Sequence, residues 1–467
     1  MEIMQLTRKL IKHTALFNHL NMELSQEQQS ALDAFNRREN VFLTGPGGTG
    51  KSALIRMMVE HANDSGRVVQ VCALTGCAAV LLGCPGTKTV HSWAGVGLAN
   101  GPSGTVVDRV VKSKYKRANW NKVDVLIIDE VSMMSRKLFD ILDMIGKKTR
   151  KCLFLPFGGI QVVFSGDFYQ LPPVGSVDEP NTSAFCFESP LWDQTFHTVV
   201  QLTKVFRQTD ADYVKALNQI RVGKLYKSSF QKLQSRVGVV CDESLRPTVL
   251  LPRRRDAEAI NSRELKALDG EEYAFETQPV FDLPVSEKVK ENIMGRIPDS
   301  QREAEVAFLT NNVMADKKLV LKVGAQVMCV ANIDMEGPHP IVNGSQGRVV
   351  EMFNGLPMVQ FRDGQKRVIG QHVWPSEVVP GLGVKQIPLI HAWAITIHKA
   401  QGVTLELAEI DAGSSIFECG QTYVALSRVK ELSGLYLTAL SPQKIKVNRK
   451  VQAFYEALNH TASQTPK

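Results

Sequence analysis

"NVFLTGPGGTGKS", Asn40–Ser52, decides how the rest of the chain is read. Val41, Phe42 and Leu43 are a short apolar run suited to a buried parallel strand. Gly45, Pro46, Gly47, Gly48, Thr49 and Gly50 then turn the chain tightly. Lys51 and Ser52 open a helical stretch read as Lys51–Ala62. In that order, strand, glycine turn and helix start let backbone N–H groups wrap a phosphate chain at the positive end of a helix. Lys51 is placed for β- and γ-phosphates and Ser52 for Mg²⁺. A plain glycine turn is the competing reading, and the full pattern after a strand argues against it.

A phosphate loop needs a second metal anchor, and "VLIIDE" supplies one. Asp129 ends an apolar strand, where it can hold the ion, and Glu130 is placed to polarise an attacking water as general base. "FSGDFYQLPPVG", Phe164–Gly175, reads as a strand beside that of Asp129, with Gln170 at its tip. An amide there can donate to a γ-phosphate oxygen and accept from water without titrating, whereas a carboxylate would repel the phosphate. Pro172 and Pro173 stiffen the exit. Arg207 in "LTKVFRQ" and Arg428 in "TYVALSRV" lie outside the phosphate-loop segment, near or within a second domain. From there they can neutralise transition-state charge and couple nucleotide state to domain closure. "LSQEQQSAL" reads as a capped helix start, Ser25 as N-cap and Gln28 at the third position. An adenine contact from Gln28 is the functional alternative.

The 467 residues exceed one ordinary domain. Net charge is +8, leaning mildly toward a polyanionic partner. No apolar run reaches the roughly 20 residues of a membrane span. Cys72, Cys77, Cys84 and His91 lack the paired spacing of a zinc site, so reduced buried thiols of an intracellular protein are expected. The N-terminal stretch 1–23 has no signal-peptide core. It suits a peripheral helix better than a mitochondrial presequence, since Glu2 is acidic and serine is absent until Ser25.

"NVFLTG", "RVVQVCALTG", "VDVLIIDE" and "IQVVFSGD" predict parallel strands with helices such as Lys51–Ala62 and Arg136–Lys148 between them, an α/β domain over 24–207. "VVQL", "TVLLP", "IPLIHAWAI", "LAEIDAG" and "GLYLTAL" predict a second, over 208–331 and 383–460. Residues 96–121 read as an insertion that begins loop-like and turns basic at Lys112, Lys114, Lys116 and Arg117. Residues 332–382 read as a small β-barrel-like insertion. The tail 461–467 reads as disordered. Trp93, beside His91 and Ser92, is either a core ring or a base-stacking platform. "ITIHKAQG" puts His398 and Lys399 near a helix start, where donors meet phosphate.

"LSQEQ", "FLTGPGGTGKS", "LTGCAA", "TVHSWAG", "LIIDEVSMM", "GDFYQLPPV", "LTKVFRQ", "VNGSQG", "AWAITIHKAQG" and "QTYVALSRV" occur in that order. The series resembles superfamily 1 DNA helicases, in particular the PIF-type (petite integration frequency) group of the RecD-like branch, from Leu24 to Tyr455. The resemblance implies two RecA-like domains with ATP and Mg²⁺ between them. It implies single-stranded and forked DNA as partner, 5′-to-3′ travel, and a role in replication, repair, recombination or genome maintenance. It implies a wedge in 96–121, an SH3-like fold for 332–382, and DNA contacts from Thr75, His91, Ser92, Trp93, Thr396, His398 and Lys399. A monomer without membrane attachment is expected, in nucleus or mitochondrion of a eukaryote, bacterial cytoplasm, or a virus-infected cell. Arg253–Arg255 departs from the family's more neutral segment, either gripping phosphate or forming a solvated face. A nucleotide-gated remodelling protein shares every nucleotide motif but has no use for a wedge. A GTP switch lacks its NKxD motif.

Overall fold

The computed structural model describes residues 24–464 except 85, 177, 243–244, 285–296, 334–340, 377–378 and 380; the N-terminal extension 1–23 and the end of the tail, 465–467, lie outside the described residues. Helix α1 (Gln26–Asn36) starts on the expected reciprocal cap. The Ser25 hydroxyl accepts from the Gln28 N–H, and the Gln28 side chain accepts from the Ser25 N–H. Next come β1 (Val41–Thr44), α2 (Lys51–Asp64), β2 (Val69–Ala73), α3 (Gly76–Leu82), β3 (Lys88–Thr89) and α4 (Val90–Trp93). They are followed by α5 (Ser103–Lys112), α6 (Lys114–Lys122), β4 (Val125–Asp129), α7 (Arg136–Arg150), β5 (Gln161–Gly166), α8 (Trp192–Thr195) and β6 (Thr198–Gln201).

These strands make one parallel sheet, ordered β3-β2-β4-β5-β1-β6. Every residue of β1, β4 and β5 is buried, as expected of a sheet covered on both faces. "VVQL" therefore belongs to the first sheet: β6 pairs with β1, Val41 opposite Thr198. An aromatic cluster fills one face, with Phe42 and Trp192 edge-on at 5.1 Å and Phe164 and Phe196 at 4.8 Å.

The stretch 96–121 is not mainly a loop. Helices α5 and α6 occupy most of it and pack on α7. Val106, Val107 and Val110 lie on one helical face and are buried, as is Trp120. The loop is confined to 95–102, where Leu98 is 81% exposed.

The second half begins with α9 (Ala211–Arg221), α10 (Lys227–Gln234), β7 (Thr248–Leu251) and α11 (Arg254–Ala267). A run of antiparallel pieces follows: β8 (Tyr273–Glu276), β9 (Gln278–Val280), α12 (Asp299–Asn312), β10 (Lys318–Leu321), β11 (Gln326–Cys329), β12 (Gln346–Phe353), β13 (Leu356–Phe361), β14 (Lys366–Val368), β15 (His372–Pro375), β16 (Gly383–Gln386) and β17 (Leu389–His391). Five form the antiparallel sheet β14-β13-β12-β11-β17. It recruits strands on both sides of 332–382, so the β insertion is wider than the sequence pattern suggests. The α/β pattern resumes with β18 (Ala394–Thr396), β19 (Ala408–Ala412), α13 (Gln421–Leu426) and β20 (Leu435–Leu440), giving the parallel sheet β18-β7-β19-β20.

Helix α14 (Arg449–Gln464) closes the described chain. It runs past Thr461, where disorder was expected, and it does not pack as part of the second domain. Val451 and Tyr455 are buried in the first-half core, and Phe454 lies 5.4 Å from Phe168, centroid to centroid.

Candidate functional site

Strand β1 delivers the glycine turn to the C-terminal edge of the first sheet, where open α/β sheets hold ligands. A cavity of ≈ 390 Å³ opens there, lined by Gln28, Gly47, Gly48, Thr49, Gly50, Lys51, Ser52, Asp129, Glu130, Gln170, Arg207, Gln401 and Arg428 among others. Its size suits a nucleotide. Gly45 and Pro46 stand behind the rim, and their carbonyls accept from Lys51 Nζ at 2.7 and 2.9 Å. Gly48 must be glycine. Its φ is +81°, and a Cβ would stand 2.5 Å from that of Arg207. Gln28 both caps α1 and lines the cavity, donating to Thr49 O at 3.4 Å, so the capping role leaves its side chain at the nucleotide site.

Ser52 and Asp129 face the cavity together, from the start of α2 and the end of β4. Burial raises the Asp129 carboxyl, against Lys51, whose charge favours the ionised form. A hydroxyl and a carboxylate beside a phosphate loop are the hard oxygen donors that Mg²⁺ takes, so these residues fit the ion. Glu130 is held in the left-handed region, φ 57° and ψ 38°, which costs a non-glycine residue strain of order 1–3 kcal/mol. Burial, then the neighbouring Asp129, push its carboxyl up to about 7. Gln401, from the second half, donates to Glu130 Oε2 at 2.8 Å.

Gln170 is buried and lines the cavity at the exit of β5, which lies beside the Asp129 strand as the sequence suggests. Arg207 and Arg428 converge on the glycine turn. A Cβ on Gly47 would meet a guanidinium nitrogen of each at 3.3 Å. Arg207 follows β6 of the first sheet, so only Arg428 reaches across from the second. Arg428 donates to Val424 O at 2.9 Å and Ser427 Oγ at 2.8 Å, both neutral acceptors. Burial and then Arg207 lower its pKa. A buried guanidinium, Arg428, beside a half-buried one, Arg207, is an unfavourable pair until an anion comes between them.

The candidate DNA residues follow strand ends of both sheets. Thr75 and His91 come after the paired strands β2 and β3. Ser92 is exposed and His91 half-buried, its pKa lowered by burial. Thr396 ends β18 and accepts from the Lys399 N–H at 3.1 Å; His398 is exposed. Trp93 does not offer a stacking face. It is 3% exposed, packs on Trp120 at 4.7 Å, and accepts at its carbonyl from Asn119, so the core reading holds. Arg254 and Arg255 are exposed, Arg254 pairing with Glu258 at 2.6 Å, while Arg253 covers the Phe417 ring.

The sequence reading missed Tyr423, Gln208 and Gln401. Tyr423 Oη accepts from the Gly47 N–H at 2.9 Å, and Gln208 donates to Ser427 O and Val429 O at 3.0 Å. All three stitch the two halves. All three stood inside quoted motifs, "LTKVFRQ", "HKAQG" and "QTYVALSRV", where position relative to lysine and arginine was the available signal.

The chain matches a PIF1-like helicase model over residues 23–230 and a model of the 2B domain of DNA helicase Pif1 over 307–352. It is 35% identical over 442 residues to the ATP-dependent DNA helicase PIF1 of Danio rerio, covering 93% of this chain but 64% of that protein. It is 34% identical to the ATP-dependent DNA helicase Pif1 of Bdellovibrio bacteriovorus, over 93% of this chain and 92% of that one. A crystal structure of Pif1 helicase from Bacteroides, in complex with ADP-AlF3 and single-stranded DNA, superposes with a TM-score of 0.62 at 28% identity, covering 94% of this chain and 98% of that chain. The two parallel sheets of this chain are those of two RecA-like domains. With near-complete coverage of a bacterial relative and a shared two-sheet architecture, this chain belongs to the Pif1-like helicase family.

Proposed function

We propose that this chain is an ATP-dependent DNA helicase that moves 5′-to-3′ on single-stranded DNA and separates duplex ahead of it, within the replication, repair or recombination of an intracellular genome. The observation that carries this is the shared cavity. Lys51, Glu130 and Gln170 enter it from the first sheet, and Gln401 and Arg428 from the second half. A nucleotide bound there is touched from both sides, so its cleavage changes what holds the halves together. Ser52 and Asp129 would hold Mg²⁺, which would supply charge neutralisation on the phosphates. Lys51 and the turn N–H groups orient the chain of phosphates. Glu130 takes the proton of the attacking water, and Arg207 and Arg428 meet the charge that develops.

Unwinding assays on 5′-tailed and 3′-tailed duplexes, with and without ATP, test the proposal. ATP-dependent separation of the 5′-tailed substrate alone is expected, and separation of the 3′-tailed one alone overturns the polarity. No helix among the described residues is long and apolar enough to cross a membrane.

Gln170→Ala is expected to weaken DNA-stimulated ATPase roughly 10-fold or more while ATP affinity changes little, because the amide meets only the reacting end of the nucleotide. Unaltered stimulation returns Gln170 to a turn residue. The loop 95–102 is the candidate wedge. Leu98, Ala99 and Asn100 line a cavity of ≈ 650 Å³ with His91, Pro173 and Val174. Leu98→Ala is expected to lower unwinding of a 5′-tailed fork several-fold, in line with the loss of one apolar contact worth about 1–2 kcal/mol, and to spare single-strand-stimulated ATPase. Equal losses in both assays would assign Leu98 to translocation instead.

A further inference from the structure

Four residues after β5, Gln170 is flanked by Tyr169, which packs in the core of the first half, and Leu171, which packs in the core of the second. The residue that sets this bend is Asp167. It is fully buried, and its carboxylate accepts from the Tyr169 N–H at 3.2 Å while its carbonyl accepts from the Gln170 N–H at 2.8 Å. The same carboxylate takes a two-pronged ion pair from Arg221 at the end of α9, Nε to Oδ2 and NH2 to Oδ1, both 2.8 Å. The Arg221 guanidinium lies 4.6 Å from the Tyr169 ring centroid and 5.3 Å from that of Tyr455. Those two rings stack at 4.7 Å, 12° from parallel. Tyr455, on α14, shares a 2.6 Å hydrogen bond between its hydroxyl and Thr44 Oγ1, at the last residue before the glycine turn, and accepts from the Phe168 N–H at 3.2 Å. One buried cluster therefore ties together the phosphate-loop strand, the turn carrying Gln170, the first helix of the second half and the closing helix.

Resting on the helicase reading above, we propose that Arg221 and Tyr455 are positioning residues that relay the state of the nucleotide between the halves: they fix the Gln170 turn to α9 and α14, so that a shift at the γ-phosphate moves the second half as a body. Neither lines the nucleotide cavity. A bidentate pair held against two mutually stacked rings has one geometry, unlike a single-point lysine contact, and so passes on displacement instead of absorbing it.

The test compares wild type, Tyr455→Phe and Arg221→Lys. Tyr455→Phe keeps the stacked ring and loses only the hydroxyl, so its melting temperature is expected to fall by about 4 °C or less. ATP binding and the basal ATPase are expected to stay within about twofold, while stimulation by single-stranded DNA falls about fivefold or more, the lower range of a site-to-site coupling. Arg221→Lys, which keeps the charge, is expected to show the same split. Normal DNA stimulation in a folded Tyr455→Phe protein overturns the relay. So does a loss of ATP binding in proportion to stimulation, which would mark a merely structural role. A wild-type ATPase that DNA does not stimulate overturns the helicase reading itself and is seen before any variant is made.

Discussion

Lys51→Ala is expected to abolish ATP hydrolysis and leave the apo protein folded. The ammonium sits at the cavity floor and spends its hydrogen bonds on Gly45 O and Pro46 O, within its own loop. Burial lowers its pKa, and the carboxylates Asp167, Glu130 and Asp129 only partly oppose that. A charge taken from water and left with backbone carbonyls costs folding free energy, so removing it does not lower the melting temperature. The nucleotide's phosphates are what repay the burial. Loss of one such donor in a dry site costs about 10²–10³ in turnover, and the lysine carries full charge, so the effect lies at or beyond the upper end. Steady-state ATPase with and without DNA, alongside apo melting, checks both halves. Wild-type turnover would remove Lys51 from the phosphate site, and a collapsed melting temperature would make it a folding residue.

The phosphate loop, the Asp-Glu strand and Gln170 were legible because their chemistry is written in adjacent residues. A strand, a turn and a helix start are local, and their order is the signal. What lies across the cleft is not local. Gln401 and Glu130 are 271 residues apart, Arg221 and Asp167 54, and Tyr455 and Thr44 411. No spacing rule connects such pairs. Trp93 illustrates a different limit. An aromatic after a glycine turn reads alike whether it faces a base or another ring, and the deciding partner, Trp120, belongs to a helix hidden in a stretch that looked like a basic loop. The valines of that helix, Val106, Val107 and Val110, do carry helical spacing. The glycines and Pro102 ahead of them drew the reading toward a loop. "VVQL" went to the wrong sheet because an apolar strand says nothing of which neighbour it pairs with.

Glu130→Gln is expected to bind ATP and DNA normally and to slow cleavage by about 10²–10⁴-fold, the range spanned by a positioned general base. The structure makes Glu130 a costly residue to keep. It occupies a left-handed backbone conformation, it is a carboxylate next to the carboxylate Asp129, and it lies in a site that disfavours its charge. A turn that needed only shape would relax all three with glycine or asparagine. What compensates is a neighbourhood of donors: the charges of Lys51 and Arg428 and the Gln401 amide 2.8 Å from Oε2 favour the ionised form. Glutamine preserves the size of the side chain and loses the basicity, so the hydrolytic step is the one that should suffer. Single-turnover cleavage of pre-bound ATP isolates it. A normal rate there would show that water is activated by another group. A slow rate with tight ATP would yield a protein halted with its halves closed on the nucleotide, in which Gln401 is held against the replaced amide. On the proposed cycle, in which release of DNA follows cleavage, fork-binding measured on that trapped form should be at least as tight as wild type, and weaker binding would place release before cleavage.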